Sequence, residues 1–380
     1  MSTQLWLISN AATMIVSMIL TGLIIPQILL IAFRRQLFDT VDERKIHQGS
    51  VPRLGGIAFV PAIILSLALT VGCGLMYLGL DSFPGIYLSR SVMMCFSLCG
   101  LMVLYLVGIS DDLVGLKYRA KFVAQIVAAL LLVVSGLWMR SLDGLFGIYQ
   151  IWPVCGWMLT VLIVVFVTNS INLIDGIDGL ASGLSAIALL CYGIMFFMLG
   201  HYVMAMVAFA TLGTLVPFFF FNVMGDARKR KKIFMGDTGA LTVGFILAML
   251  SIEMTGTATD SLVDVNPLVM AVAPLLLPCF DVIRVFVHRV RMKHNPFLPD
   301  RSHIHHKLLA LGMPQRYVMA SILLTSLVLT GISIYMSMLL NVTVVLLLDF
   351  AVWVVFNYVL TRAIERRRRL DNHPEAFLYT

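Results

Sequence analysis

The chain has 380 residues, of which 60% are apolar and only 12% are charged, with a formal net charge of +7. A soluble domain carries about 25% charged residues, so this composition excludes a water-soluble globule and implies an integral membrane protein. The apolar stretches are too long and too free of period-2 alternation for a transmembrane barrel, which leaves helices that satisfy their own backbone groups in lipid.

A span needs roughly 20 apolar residues. On that rule the sequence predicts an all-α polytopic membrane protein with about eleven transmembrane helices. They lie near 9–33, 55–79, 91–109, 122–139, 153–169, 180–199, 201–221, 239–255, 267–288, 317–337 and 341–361. No basic residue precedes Arg34 and no small-residue cleavage site closes the first stretch, so it is expected to be a retained helix rather than a signal peptide. The outer gap at 142–153 sets β-branched and aromatic residues around turn glycines, which predicts a short β-hairpin. The breaks at Gly200-His201 and from Ser337 to Asn341 predict tight helical hairpins. No gap is long enough to hold its own core, so residues 1–380 are expected to form one membrane domain. The six cysteines sit in or beside spans without paired spacing and read as small apolar fillers.

Of the 27 Lys and Arg residues, 25 fall in alternate gaps: 34–53, 110–121, 222–238, 284–316 and 362–369. The positive-inside rule therefore places the N-terminus outside and the C-terminus in the cytoplasm. The tail Glu365-Arg-Arg-Arg-Arg369 reads as an orientation signal drawn to anionic lipid. The membrane is its expected partner, and no nucleic acid is.

The same inner gaps hold the polar clusters. Asp111 and Asp112 close the third span, and adjacent carboxylates need a nearby cation or a shared proton; Lys117, Arg119 and Lys121 follow. The run Asn169 to Gly179 is the one inner gap without Lys or Arg. Asn169, Asn172, Asp175 and Asp178 recur every three residues, which on a helical turn would align them roughly on one face. Oxygen ligands without basic partners suit a hard cation, which takes one or two carboxylates plus substrate phosphates. The alternative is a polar loop whose Asn and Asp cap helix ends. Five cations at 228–232 precede Phe234-Met-Gly-Asp237, where Phe234 could stack on a base and Asp237 could bind metal or cap the next helix. His303, His305 and His306 could form a zinc site, but four converging ligands are needed and no cysteine is near. With Arg301 and Lys307 they could instead donate hydrogen bonds to phosphate oxygens. Asp281 and Arg284, three residues apart in the ninth span, read as a mutually neutralised pair. These gaps share one theme, oxygen ligands for a divalent cation ringed by cations for phosphates, and phosphoryl transfer is catalysed mainly by such positioning.

With these motifs in hand, the chain resembles the polyprenyl-phosphate N-acetylhexosamine-1-phosphate transferases over about residues 34–310. The resemblance rests on Asp111-Asp112, on Asn169-x-x-Asn172-x-x-Asp175-Gly-x-Asp178-Gly179, on Phe234-Met-Gly-Asp237 and on His303-Ile-His-His306. It implies Mg²⁺-dependent transfer of a sugar-1-phosphate from a UDP-N-acetylhexosamine to a polyprenyl (undecaprenyl) phosphate, releasing UMP, with Mn²⁺ as an alternative ion and a homodimer as one expected assembly. It further implies Asp111, Asp112 and Asp178 as catalytic carboxylates, Asp237 and Asp175 as metal ligands, and Phe234 stacked on uracil. Asn172, Asp175, Asp178 and Asn222 would line the nucleotide pocket, and Lys121 would neutralise acceptor or diphosphate charge. His47, Arg301, His303, His305 and His306 complete the expected substrate-binding set.

His47, where the MurNAc-pentapeptide branch of the family carries lysine, and the His-Ile-His-His order both resemble the GlcNAc-1-phosphate branch. UDP-GlcNAc is therefore the expected donor, with the phospho-MurNAc-pentapeptide reaction as the alternative. A transporter or flippase is the rival from another class, but transport sites lie near the midplane, whereas these acids sit at span ends. A scaffold whose loops bind partners is the third reading. The expected location is the inner (cytoplasmic) membrane, multi-pass, with the active site on the cytoplasmic face.

Overall fold

The structure is a computed structural model that describes residues 3–37, 51–78, 88–257, 265–293 and 302–371. It contains thirteen α-helices among those residues: α1 (Thr3–Arg35), α2 (Phe59–Leu78), α3 (Leu88–Val114), α4 (Tyr118–Val134), α5 (Pro153–Ile174), α6 (Leu180–Met198), α7 (Tyr202–Phe219), α8 (Gly236–Thr255), α9 (Pro267–Val272), α10 (Leu276–Arg291), α11 (Ile304–Ala310), α12 (Gln315–Ser337) and α13 (Val342–Asp371). Ten helical segments are long and apolar enough to cross a membrane, α9 and α10 counting as one. With 17 residues, α4 reaches about 25 Å at 1.5 Å per residue and sits at the lower limit for an eleventh span. The protein is an all-α, multi-pass membrane protein, as expected. The tight connections after α6 and α12 also stand where the sequence put them.

The predicted span at 267–288 is interrupted. Pro274 and Pro278 remove amide donors, and the chain passes through a 3-10 turn at Ala273–Leu275. Backbone groups loosened by such a break must find partners inside a bilayer. The Tyr192 hydroxyl donates to the Ala271 carbonyl, and Thr330 Oγ1 donates to the Ala273 carbonyl at 3.2 Å.

The predicted hairpin is present as β1 (Ser141–Leu145) paired antiparallel with β2 (Ile148–Gln150). The Phe146 amide donates to Thr343 Oγ1 at the head of α13, and Asn266 Nδ2 donates to the Asp143 carbonyl, both at 2.8 Å. These contacts define one end of the bundle. The ends of α3, α5 and α7 and the starts of α4, α6 and α8 meet at the other.

At the centre stands α8, with 94% of its most apolar stretch buried, against 22% for α1. Lipid is as apolar as leucine, so helices associate there through close backbone packing at small residues. A Cβ on Gly108 would lie 2.5 Å from Thr238 Cα, and one on Gly56 would lie 2.0 Å from the Gly239 amide nitrogen. These two contacts seat the start of α8 against α3 and against the 3-10 turn at Gly55–Ala58. Gly108→Ala should therefore lower stability by about 1–3 kcal/mol through overpacking. Gly72→Ala, whose Cβ would meet nothing within 4 Å, should be neutral or slightly stabilising; thermal unfolding of both variants in detergent checks the contrast.

Candidate active site

The site is organised by the N-terminus of α8. The first amides of a helix have no intrahelical acceptor, and here a carboxylate from another helix supplies one. Asp112, near the end of α3, accepts from the Asp237 amide through Oδ1 at 2.7 Å and from the Thr238 amide through Oδ2 at 2.9 Å, with the Thr238 hydroxyl also bonding Oδ2. Gly236 permits this approach: its φ is +72°, and a Cβ there would fall 2.2 Å from the Arg53 carbonyl oxygen. Asp112, expected as a catalytic acid, thus uses both oxygens to hold the segment that carries Asp237.

Its neighbour Asp111 points elsewhere. Asp111 Oδ1 accepts from the Leu116 amide at 2.6 Å, and Oδ2 pairs with Lys121 Nζ at 2.7 Å. The same ammonium lies 3.0 Å from Asp237 Oδ1, which also accepts from Asn172 Nδ2 at 2.6 Å. Lys121 therefore bridges the α3 acid and the α8 acid, while Asn172, on the last turn of α5, fixes the latter. Asn169 does not join them. Its side chain pairs with Gln125 on α4, the shorter contact being 2.6 Å. Because α5 ends at Ile174, Asp175 and Asp178 lie on a turn, and the three-residue spacing does not continue along one helical face.

That turn is clamped from behind. Asn222 is buried; it accepts from the Gly179 amide at 2.6 Å and donates to the Ile233 carbonyl at 2.9 Å. Both ends of its amide are used to tie two loops together, so it supports the pocket from below. Asp178 pairs with Lys232 Nζ at 2.6 Å, and that ammonium stands 5.9 Å from the centre of the Phe234 ring. Beside this pair lies a cavity of about 210 Å³ lined also by Gly225, Gln315 and Arg316. The backbone of Phe234 is locked by strand-like bonds to the Pro52 carbonyl and the Gly55 amide, which fixes the half-buried ring beside Lys232.

The histidines approach the same turn. His305 is 1% exposed, its ring nitrogens have no hydrogen-bond partner among the described residues, and a Cβ on Gly176 would fall 2.2 Å from Nε2. Burial, then the neighbouring His306 and His303, push its pKa down to about 3, so it is a neutral wedge against the Asp175–Gly179 turn. The half-buried His306 lies beside it, ring centres 4.2 Å apart. Lys307, grouped in the sequence with phosphate-binding cations, instead donates to Thr361 on α13 at 3.0 Å; burial pulls it down to about 8. His47 and Arg301 lie outside the described residues.

Asp111, Asp112, Asp175, Asp178 and Asp237 thus share one end of the bundle with Lys121, Lys232 and Arg53, five acids against three bases, an excess of two negative charges when every acid is ionised. Among the described residues no three His, Cys, Asp or Glu side chains form a ready-made metal cage, because Lys121 and Lys232 stand between the acids. The donor set nevertheless fits a hard divalent cation that takes one or two carboxylates and completes its shell with water and phosphate. Asp175 is the open member, with solvent-accessible surface and no hydrogen bond among the described residues. It lies in a recess: surrounding protein raises its pKa to about 7 by desolvation, with the charge of Asp237 next, while Arg53 opposes the shift. Asp175 and Asp237 are the residues that would hold such an ion. Arg53 and Lys232 were not singled out from the sequence; Lys232 is one of five adjacent cations that look alike until folding selects one, and Arg53 is an isolated cation whose partners lie far along the chain.

The fold and site together define a polytopic membrane protein with an anionic, lysine-bridged pocket where its helices end. Residues 93–255 match the model of glycosyl transferase family 4. The chain is 31% identical over 339 residues to an undecaprenyl-phosphate alpha-N-acetylglucosaminyl 1-phosphate transferase of Yersinia pestis, covering 88% of this chain and 86% of the relative. It is 29% identical to the protein of that name in Salmonella typhimurium, covering 90% and 92%. A probable undecaprenyl-phosphate N-acetylglucosaminyl 1-phosphate transferase of Bacillus subtilis is also 29% identical, covering 80% and 78%. The chain belongs to glycosyl transferase family 4.

Two outcomes follow from this geometry. Asp112→Ala should cost about 0.5–2 kcal/mol of stability as a lost helix cap and release Asp237 from its place, so that unfolding midpoint and activity fall together. A divalent cation bound at Asp175 would have to displace its carboxyl proton, so its affinity should weaken as pH falls through 7, by about tenfold between pH 8 and pH 6. Mn²⁺ titration followed by electron paramagnetic resonance checks this, and Asp175→Asn should flatten the pH dependence.

Proposed function

We propose that this protein transfers N-acetylglucosamine-1-phosphate from UDP-GlcNAc to undecaprenyl phosphate, releasing UMP and starting a lipid-linked cell-envelope glycan. The reaction is placed at the cytoplasmic face of the bacterial inner membrane, with Mg²⁺ as cofactor. The observation that carries the reading is the bridge from Lys121 to Asp111 and Asp237, at the ends of apolar spans, in a chain 31% identical to a protein bearing that activity in its name. A lipid phosphate anchored in the bilayer reaches a span end without leaving its leaflet, whereas a water-soluble nucleotide sugar enters from the solvent side. The alternation of basic gaps fits that side being cytoplasmic.

The chain's own groups divide the work. An oxygen of the acceptor phosphate attacks the β-phosphorus of the donor, the bond from that phosphorus to the bridging oxygen breaks, and UMP departs with the oxygen. Lys121 is positioned to offset charge on the incoming phosphate or the diphosphate. Asp111 holds that lysine, and Asp112 holds the α8 start in place. Lys232 and the Phe234 ring offer a cation and an aromatic face to a nucleotide. Bound at Asp237 and Asp175, Mg²⁺ would supply charge neutralisation at the diphosphate. Phosphoryl transfer needs little beyond such positioning and electrostatic stabilisation.

Purified protein should be offered UDP-GlcNAc, UDP-GalNAc and UDP-MurNAc-pentapeptide in parallel with a short polyprenyl phosphate. UMP is expected from UDP-GlcNAc, only with the lipid phosphate present, and chelation of divalent ions should abolish it. Asp237→Ala should lower turnover by about 10²–10³-fold. Release of UMP from UDP-MurNAc-pentapeptide alone would move the protein to the other branch of its family.

A further inference from the structure

One buried acid belongs to none of the roles above. Asp281 lies on α10 with no exposed surface. A carboxylate in that position persists only when donors surround it, and three do. Arg284 Nη2 lies 2.9 Å from Oδ1, the Ile304 amide donates to Oδ1 at 3.1 Å, and His303 Nδ1 stands 2.8 Å from Oδ2. Arg284 also donates to the Ser302 carbonyl. The pair expected from the sequence to neutralise itself is therefore the base of a five-residue clamp around the start of α11.

The clamp leads directly to the aspartate turn. A carboxylate already accepting from a guanidinium and an amide is an acceptor toward His303 as well, so Nδ1 of His303 carries the proton. The His303 ring lies nearly parallel to that of His305, 6° between planes and 5.8 Å between centres. His305 in turn presses on Gly176, between Asp175 and Ile177. Among the described residues His305 makes no hydrogen bond of its own, so its ring is held by packing against His303, His306 and Gly176.

We infer that Asp281 is a positioning residue of the transfer site: its carboxylate sets the tautomer of His303 and clamps residues 302–304, so that His305 seats against Gly176 and holds the turn carrying Asp175 and Asp178. The inference rests on the proposed reaction for its activity readout and on geometry alone for its spectroscopic one. Asp281→Asn keeps the size and an oxygen for the Ile304 amide, but it loses the charge and can present an amide donor to His303. Outer partners that orient a functional histidine are typically worth about 10–100-fold, and a loss of UMP release in that range is expected at temperatures well below the variant's own unfolding midpoint. Asp281→Glu, which retains the charge, should recover part of that loss.

The distinguishing measurement is the ¹⁵N spectrum of histidine-labelled full-length protein in detergent, with His303 assigned by comparison with His303→Gln. Wild-type protein should show His303 protonated at Nδ1, and Asp281→Asn should shift it toward the Nε2–H form. Either of two results overturns the inference: an Nε2–H tautomer in wild type, or an Asp281→Asn protein that keeps both the wild-type tautomer and wild-type turnover. The wild-type spectrum decides even if every Asp281 variant fails to fold. Absence of UMP release by wild type, with the Nδ1–H tautomer intact, would count against the proposed reaction and leave the positioning role standing.

Discussion

Everything at the functional end of this protein depends on how the first turn of α8 is held. That helix is nearly surrounded by protein, and its leading amides would be buried donors without acceptors if Asp112 did not reach them from α3. The same contact fixes Asp237, which Lys121 then links to Asp111. Two adjacent acids thus divide their work, one bonding to backbone and one to a cation. An adjacent pair tolerates its own repulsion when each carboxylate faces a different positive partner.

The rest of the site repeats that economy of buried polar groups. Asn222 satisfies one amide and one carbonyl from two loops, and Asn172 donates to Asp237. Asp281 gathers a guanidinium, an imidazole and an amide. Each bond closes a polar group that apolar surroundings would otherwise leave costly. Rigidity at the bundle's end therefore follows from satisfying the backbone in a low-dielectric setting. Asp175, which keeps solvent-accessible surface and makes no hydrogen bond among the described residues, is the member able to meet a ligand.

Much of this was readable along the chain. The helical spans, the short hairpin and the Asp, Asn and His clusters follow from composition, period and gap position, because lipid permits few backbone solutions, although ten segments rather than the expected eleven are long and apolar enough to cross among the described residues. Less readable were the roles within each cluster. Asn169 and Asn172 share a motif and a spacing, yet Asn169 turns to Gln125 while Asn172 reaches Asp237. Lys307 and Lys232 both sit in basic gaps, yet one is anchored to Thr361 inside the protein and the other pairs with Asp178. Local spacing cannot distinguish such residues, since their partners lie 44 to 65 positions away in the chain.

By itself the sequence determined that this is a helical membrane protein whose acids, amides and cations gather at alternate ends of its spans, because hydrophobic length and charge placement are properties of the linear chain. Tertiary structure decided that Asp112 caps α8, that Lys121 stands between two acids, that Asn222 supports the pocket from below and that Asp281 governs the histidine turn. Those assignments depend on which helix ends meet and how closely. Backbone approach at Gly56 and Gly108, a matter of ångströms between distant segments, sets that distance.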